Sequence, residues 1–214
     1  MSVIKVVDVL KDTSYMLTDE GAVRWSKSIL LNWFNEAQSA LVVRRPDSLA
    51  ANESFSCGAG TKQNLPAIGL RLIDITRVMG GGAITRVSRA RIDSHISDWH
   101  ALPETSDIHH YIYDDRDPKI FYTYPPATAG TSIEIIYSKA PEKIVISDFS
   151  TDTQVLSVDD IYANAIQEYI LYKAWMKDAE TAGNTGRAQA HFTQFRNAIG
   201  DKSEADAMMS PTNG

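Results

Sequence analysis

The sequence predicts an α+β fold in which helices from both ends of the chain form one bundle and a mainly antiparallel β-region is inserted between them. Three observations predict it. Apolar residues recur every three or four positions up to about residue 46 and again after residue 142. Between these stretches the apolar period drops to two, with glycine- and aspartate-rich turns separating the runs. Neither helical end can bury its apolar stripe alone, so packing the two ends on each other is the economical solution.

The elements follow in order. Val3, Val7 and Leu10 are helix-spaced and predict a helix over Val3 to Met16, although Val3, Val6, Val7 and Val9 carry the β-branching that suits a strand. A second helix is expected from Ser26 to Arg45, where Leu30, Trp33, Phe34, Ala37 and Leu41 make one stripe. Ser26 is placed to cap its first turn, Arg44 and Arg45 suit the negative end of the helix dipole, and Pro46 closes it.

From about residue 54 to 138 the chain reads as strands. Phe55 and Cys57 alternate with polar neighbours. Leu70 to Val78, then Gly80-Gly81-Gly82, then Ala83 to Val87 predicts a hairpin around a glycine turn. Ile108 to Tyr113 and Ile120 to Tyr124 flank Asp114-Asp115-Arg116-Asp117-Pro118, a second hairpin with strong turn chemistry. Ile133, Ile135 and Tyr137 mark a further strand, and Arg91 to Trp99 a short helix. Four to six strands with no long helix between them imply an antiparallel sheet or small sandwich.

After Pro141 comes a polar connector. Asp159 or Asp160 then caps a helix running to about Ala179. Its middle, Tyr169 to Met176, is apolar nearly all round, so it is covered on more than one side, within the fold or by another subunit. Gly183-Asn184 breaks it, and Thr185 to Ile199 forms a last helix bearing Ala188, Phe192 and Phe195. The expected domains are therefore 1–46 and 142–200 as the two parts of the bundle, 47–141 as the β-rich insertion, and 201–214 as an extended tail. That tail has no periodic apolar face with which to order itself, so a neighbouring protein is expected to order it.

Composition narrows the function. The formal net charge is −6. A protein that grips duplex DNA through its phosphates carries a basic surplus, so a dedicated DNA binder is disfavoured. An acidic surface does suit a channel through which DNA slides without sticking. The single cysteine, Cys57, excludes an intramolecular disulfide and reads as a small buried hydrophobe. The first residues lack the pattern of a signal peptide, and no stretch approaches the roughly 20 apolar residues of a membrane span, so synthesis and folding in the cytoplasm are expected.

The search for chemistry finds little. Gly58-Ala59-Gly60 lacks the third glycine of a dinucleotide fingerprint, and Gly80-Gly81-Gly82 is not followed by the lysine of a phosphate-binding loop. His109 and His110, adjacent on a strand, point to opposite faces. His95 and His100, five apart, do not share a helical face. A metal-dependent hydrolase using Asp98, His100 and one of His109 or His110 is a rival reading. Asp114 to Asp117 lacks the glycine and terminal glutamate of a calcium loop. A second rival is a nucleic-acid or glycan binding module stacking its ligand on Tyr111, Tyr113, Phe121, Tyr122 and Tyr124, but no basic residues are interleaved among them within either strand run.

Several segments together resemble a known family. They are Arg24-Trp25-Ser26 leading into Leu31-Asn32 and Asn35-Glu36-Ala37-Gln38, then Thr61 to Pro66 followed by Leu70 to Arg77, and Asp98-Trp99-His100. The run Asp114 to Tyr122 through Tyr124-Pro125-Pro126 continues the likeness, as do Asp159-Asp160-Ile161-Tyr162, Leu171-Tyr172-Lys173-Ala174 and Lys177-Asp178-Ala179-Glu180. In order and spacing, from about Val3 to Gly200, they resemble the head-to-tail connector adaptors of tailed phages, of the tail tubular A-like type found in short-tailed phages. The resemblance implies a non-enzymatic virion protein without cofactor, forming a ring, typically a dodecamer, between the portal ring and the tail nozzle or tail tube. It implies that packaged DNA passes through the lumen without specific binding. By analogy with that group, Asp201, Lys202, Ser203, Met208, Met209 and Pro211 are assigned to portal docking. The loop Asp114, Asp115, Arg116 and Asp117 is assigned to the tail side. Trp33, Tyr169, Tyr172 and Trp175 are candidates for core or ring packing.

Overall fold

The structure, a computed structural model, describes residues 2–200. It is α+β. In chain order the elements are α1 (Val6–Met16), α2 (Lys27–Arg44), β1 (Ala50–Ser56), β2 (Gly60–Asn64), β3 (Gly69–Val78), β4 (Thr85–Arg86) and α3 (Arg89–His95). They continue with β5 (His110–Tyr113), β6 (Ile120–Ala127), β7 (Ser132–Lys139), α4 (Ala163–Lys177) and α5 (Asn184–Ala198). Contacts divide the described chain into two compact units, residues 2–45 with 141–200, and residues 46–140.

In the helical unit, α4 touches α1, α2 and α5. Ser26 caps α2 as expected, its hydroxyl accepting from the Ile29 amide. Leu30, Phe34, Ala37 and Leu41 are buried along its inner face. The first helix starts later than the spacing predicts. Val6 donates to the Gln154 carbonyl and Leu156 to the Ile4 carbonyl, so residues 4–6 run antiparallel to residues 154–156 as a short ribbon. The β-branched start of the chain prevails over the helical spacing there.

The connector between residues 141 and 159 has no regular structure, so its backbone groups need other partners. Side chains of α2 supply them. Asn35 donates to the Ile144 carbonyl and accepts from its amide, and Gln38, fully buried, accepts from the Ser157 amide. Neither of the two aspartates expected to cap the next helix caps α4, whose first turn follows Tyr162 with no side-chain cap; Asp159 caps the short 3-10 turn Asp160–Tyr162 just before it, accepting from the Ile161 amide. Asp160 instead holds the chain start, accepting from the Ser2 hydroxyl and from the amides of Val3 and Ile4.

These bonds, the Ser2 hydroxyl first, hold the Asp160 carboxyl below its ordinary 3.8. A depressed folded-state value means that the contribution is full above pH 3.8 and is lost as pH falls through the folded value. Asp160→Ala is expected to strip the Val3 and Ile4 amides of hydrogen-exchange protection at neutral pH. Wild type is expected to lose it only in acid, with the β7 amides protected throughout.

The second unit holds seven strands, among the described residues, in two sheets of order β1-β7-β3 and β2-β6-β5-β4. All pairs are antiparallel except β4 with β5. The central strand β7 turns Ile133, Ile135 and Tyr137 into the core with no exposed surface. These meet Tyr111, Tyr113 and Phe121 from the other sheet in one cluster, which also holds Cys57. Burial pushes the Cys57 thiol up to about 11, as befits an inert core residue. The opposite face of the second sheet is covered too. Ile112 packs there with Trp99 and with Ile92 of α3.

The expected hairpin of Asp114 to Pro118 forms, with Tyr113 opposite Phe121. The glycine hairpin is only half formed. After Gly80 to Gly82 the chain returns for one bridge, Ala83 with Arg77, made by the Val78 amide on the Gly82 carbonyl and the Ile84 amide on the Thr76 carbonyl. Ile84 then drops into the core and β4 crosses to pair in parallel with β5. Burying one isoleucine between the sheets outweighs extending an edge pair.

Candidate functional site

The described residues hold no gathered metal ligands. His100 stacks on Trp99 at 3.6 Å, and its Nδ1 lies 2.8 Å from the Thr61 hydroxyl. His110 stacks on Tyr124, and its Nδ1 lies 2.7 Å from the Thr85 hydroxyl. His109 faces Asp107 at 3.6 Å. His100, His109 and His110 therefore have separate partners. Among the described residues no three His, Cys, Asp or Glu side chains gather as a metal ion needs.

The stacking platform is closed as well. Tyr111, Tyr113 and Phe121 are at most 9% exposed. The Tyr111 hydroxyl donates to Asp74 at 2.8 Å and the Tyr113 hydroxyl to the Pro118 carbonyl at 3.1 Å. Tyr122 and Tyr124, on the other face, pack against Trp99. No run of exposed rings is left along β5 and β6 to stack on bases or sugars.

The hairpin tip does present itself. Asp114, Asp115, Arg116 and Asp117 are all exposed. Asp114 accepts from the Arg116 amide at 3.0 Å and from its guanidinium at 2.6 Å. These bonds lower the Asp114 carboxyl to about 2, so it stays ionised through any physiological pH. Asp115 accepts from Arg71 at 2.6 Å and lies 3.9 Å from Arg86. The Asp117 amide closes the turn on the Asp114 carbonyl. The tip is thus a charged loop whose shape is set by its own bonds.

In the helical unit Trp33 is buried and meets the Trp25 ring at 5.8 Å. Tyr169 packs edge-on against Phe195 at 5.2 Å, and Tyr172 tilts on Phe192 at 4.9 Å. The Arg187 guanidinium lies 4.9 Å over Trp175. The aromatic middle of α4 is therefore taken up largely by α5, with Tyr169, Tyr172 and Trp175 only partly exposed. Asp201, Lys202, Ser203, Met208, Met209 and Pro211 lie outside the described residues.

Sequence reasoning missed other surface features. A cleft of about 530 Å³ runs beside α1, walled by Lys5, Lys11, Tyr15, Lys27 and Phe149. Val3, Val23 and Ile161 stand out as well, each more than 70% exposed although apolar. No local pattern marks them, because their exposure depends on which face the neighbouring elements cover. No described helix is long and apolar enough to cross a membrane.

Compared with known protein families, residues 4–214 match the family described as SU10 adaptor protein. No curated protein matches the chain.

Proposed function

The chain belongs to the SU10 adaptor protein family, and on that premise we propose that it is the ring-forming joint between the portal and the tail of a phage particle. The family is one of phage adaptors, structural proteins whose work is done by interfaces, and the match over residues 4–214 is the observation that carries the reading. The partners are then portal and tail components, and the place of action is the virion neck.

In this reading the subunits close into a ring, typically of twelve, through the helical unit, where the terminal helices act as the bundle. The lumen continues the DNA channel, and the acidic balance of −6 suits a wall from which DNA is repelled. The tip at Asp114 to Asp117 meets the tail side, its fixed charges selecting a complementary partner. The segment from Asp201 to Pro211 docks on the portal. Two facts support that last assignment: the family match runs through residue 214, and this segment has no apolar periodicity with which to pack on its own chain.

The test is co-sedimentation with the cognate portal ring, comparing the full chain with one ending at Gly200. Saturable binding by the full chain and at least a tenfold loss on truncation, with unchanged far-ultraviolet circular dichroism, is expected. Equal binding by both would move the docking surface off the tail.

A further inference from the structure

The cleft beside α1 has no task in the portal reading, and it lies wholly within the helical unit. Its apolar surface comes from Leu10 and Tyr15 of α1, Leu30 of α2 and Phe149 of the connector. Leu10 and Leu30 are 3% and 1% exposed, Phe149 is half-buried and Tyr15 is 50% exposed. At about 530 Å³ the cleft falls in the range of pockets that enclose a ligand or a few side chains, roughly 300–1,000 Å³.

The charges around it do not select by sign. Lys5, Lys11 and Lys27 line it together with Asp8, Glu20 and Asp152. Lys11 lies over the Tyr15 ring and Lys27 over the Phe149 ring, each at 5.8 Å. Asp152 is bonded to Gln154, and Asp148, near Lys27, is bonded to Ser150 and Thr151. A strongly acidic or strongly basic occupant gains little from such a lining. An uncharged segment with apolar side chains fits it.

The chain carries such a segment beyond the described residues. Asp201, Lys202, Glu204 and Asp206 are charged, but Ala207 to Gly214 holds no charged side chain. Met208 and Met209 are the first large apolar residues after Gly200. Methionine fills irregular hollows and makes favourable contacts with aromatic rings. The segment lacks the periodic face needed to pack as a helix or strand, but two adjacent methionines need only a hollow that is already formed. Its length also matches. Arg45, next after α2, donates to the Ile199 carbonyl, so the chain leaves Gly200 beside that end of α2. Leu30, in the cleft, lies roughly 22 Å back along the helix at 1.5 Å per residue. The stretch from Asp201 to Met208 spans up to about 28 Å when extended. The methionines therefore come where the chain first has the reach.

We propose that Met208 and Met209 seat in the cleft of their own subunit, against the Tyr15 and Phe149 rings, before the subunit meets any partner. This goes beyond the portal reading, in which the same segment docks on the portal: docking then exchanges one apolar seat for another.

The test uses the full-length protein alone, labelled with carbon-13 at the methionine methyls, with the two signals assigned by Met208→Leu and Met209→Leu. Both are expected upfield of their positions in a synthetic peptide of residues 201–214, with nuclear Overhauser contacts to the Tyr15 and Phe149 rings. The shift is expected to be the same at every protein concentration. Tyr15→Leu with Phe149→Leu keeps the apolar bulk, so circular dichroism is expected to match wild type while the upfield shift is lost. Tyr15→Leu alone, at an exposed position, is expected to lose part of it. Signals at the peptide positions in the wild-type chain would overturn the proposal. So would a shift that survives the double substitution, which would place the methionines elsewhere, or one that grows with concentration, which would place them in a second copy. No portal is present, so a failure here leaves the portal reading standing, and a failure of co-sedimentation leaves this result standing.

Discussion

Replacing Phe121 with alanine is expected to cost about 3–5 kcal/mol, the range for emptying a fully packed phenylalanine site. Phe121 has no exposed surface and sits opposite Tyr113 on β5 and Gln63 on β2. Its ring meets that of Phe55, on β1 of the other sheet, edge-on at 5.7 Å. The side chain therefore joins the sheets, and its loss leaves a cavity that neither sheet can close without breaking register. Tyr122→Ala, one residue on but half-buried on the other face, is expected to cost clearly less. Urea denaturation gives the magnitude. Hydrogen exchange is expected to locate the loss in residues 46–140. Equal costs at the two positions would mean that the sheets do not share one core.

Phe195→Ala is expected to cost a similar amount, about 3–5 kcal/mol, but in the helical unit. Phe195 is fully buried on α5, against Tyr169 at 5.2 Å and under the Arg44 guanidinium at 5.8 Å. The rest of the buried surface of α5 is small: Asn184, Ala188 and Ile199 lie on the same side, and most of the remaining helix faces solvent. Isolated helices of this length are marginal, so α5 depends on this contact. Exchange protection of its amides is expected to fall while that of the β7 amides is unchanged. A variant that keeps α5 protected would show that the helix is held from elsewhere.

Periodicity carried most of the secondary structure, because it reports which side of an element is covered. The stripe of Leu30, Phe34, Ala37 and Leu41 and the alternation of Ile133, Ile135 and Tyr137 are each a direct imprint of burial. The turn at Asp114 to Pro118 was equally legible, since aspartate and proline encode a local geometry. What could not be read were features decided by distant partners. Val3 is helix-spaced, yet it leads into the Lys5–Val155 bridge and is held by Asp160, 157 positions later. The arm after Gly82 is strand-like, yet which sheet it joins depends on where Ile84 finds room. The connector after Pro141 looked featureless because Asn35 and Gln38, both on α2, satisfy its backbone. For exposed apolar residues the limit is physical as well. A residue such as Val23 or Ile161 differs from a core valine or isoleucine only in what covers it.

The central claim is that this chain is a structural joint seated on the portal. Electron microscopy of the isolated portal ring incubated with the full-length protein tests it most directly. The expected image is a closed ring of added density, coaxial with the portal on its tail side, with symmetry matched to or compatible with the portal. A portal ring unchanged in outline, with folded protein remaining free at saturating concentration, would contradict it.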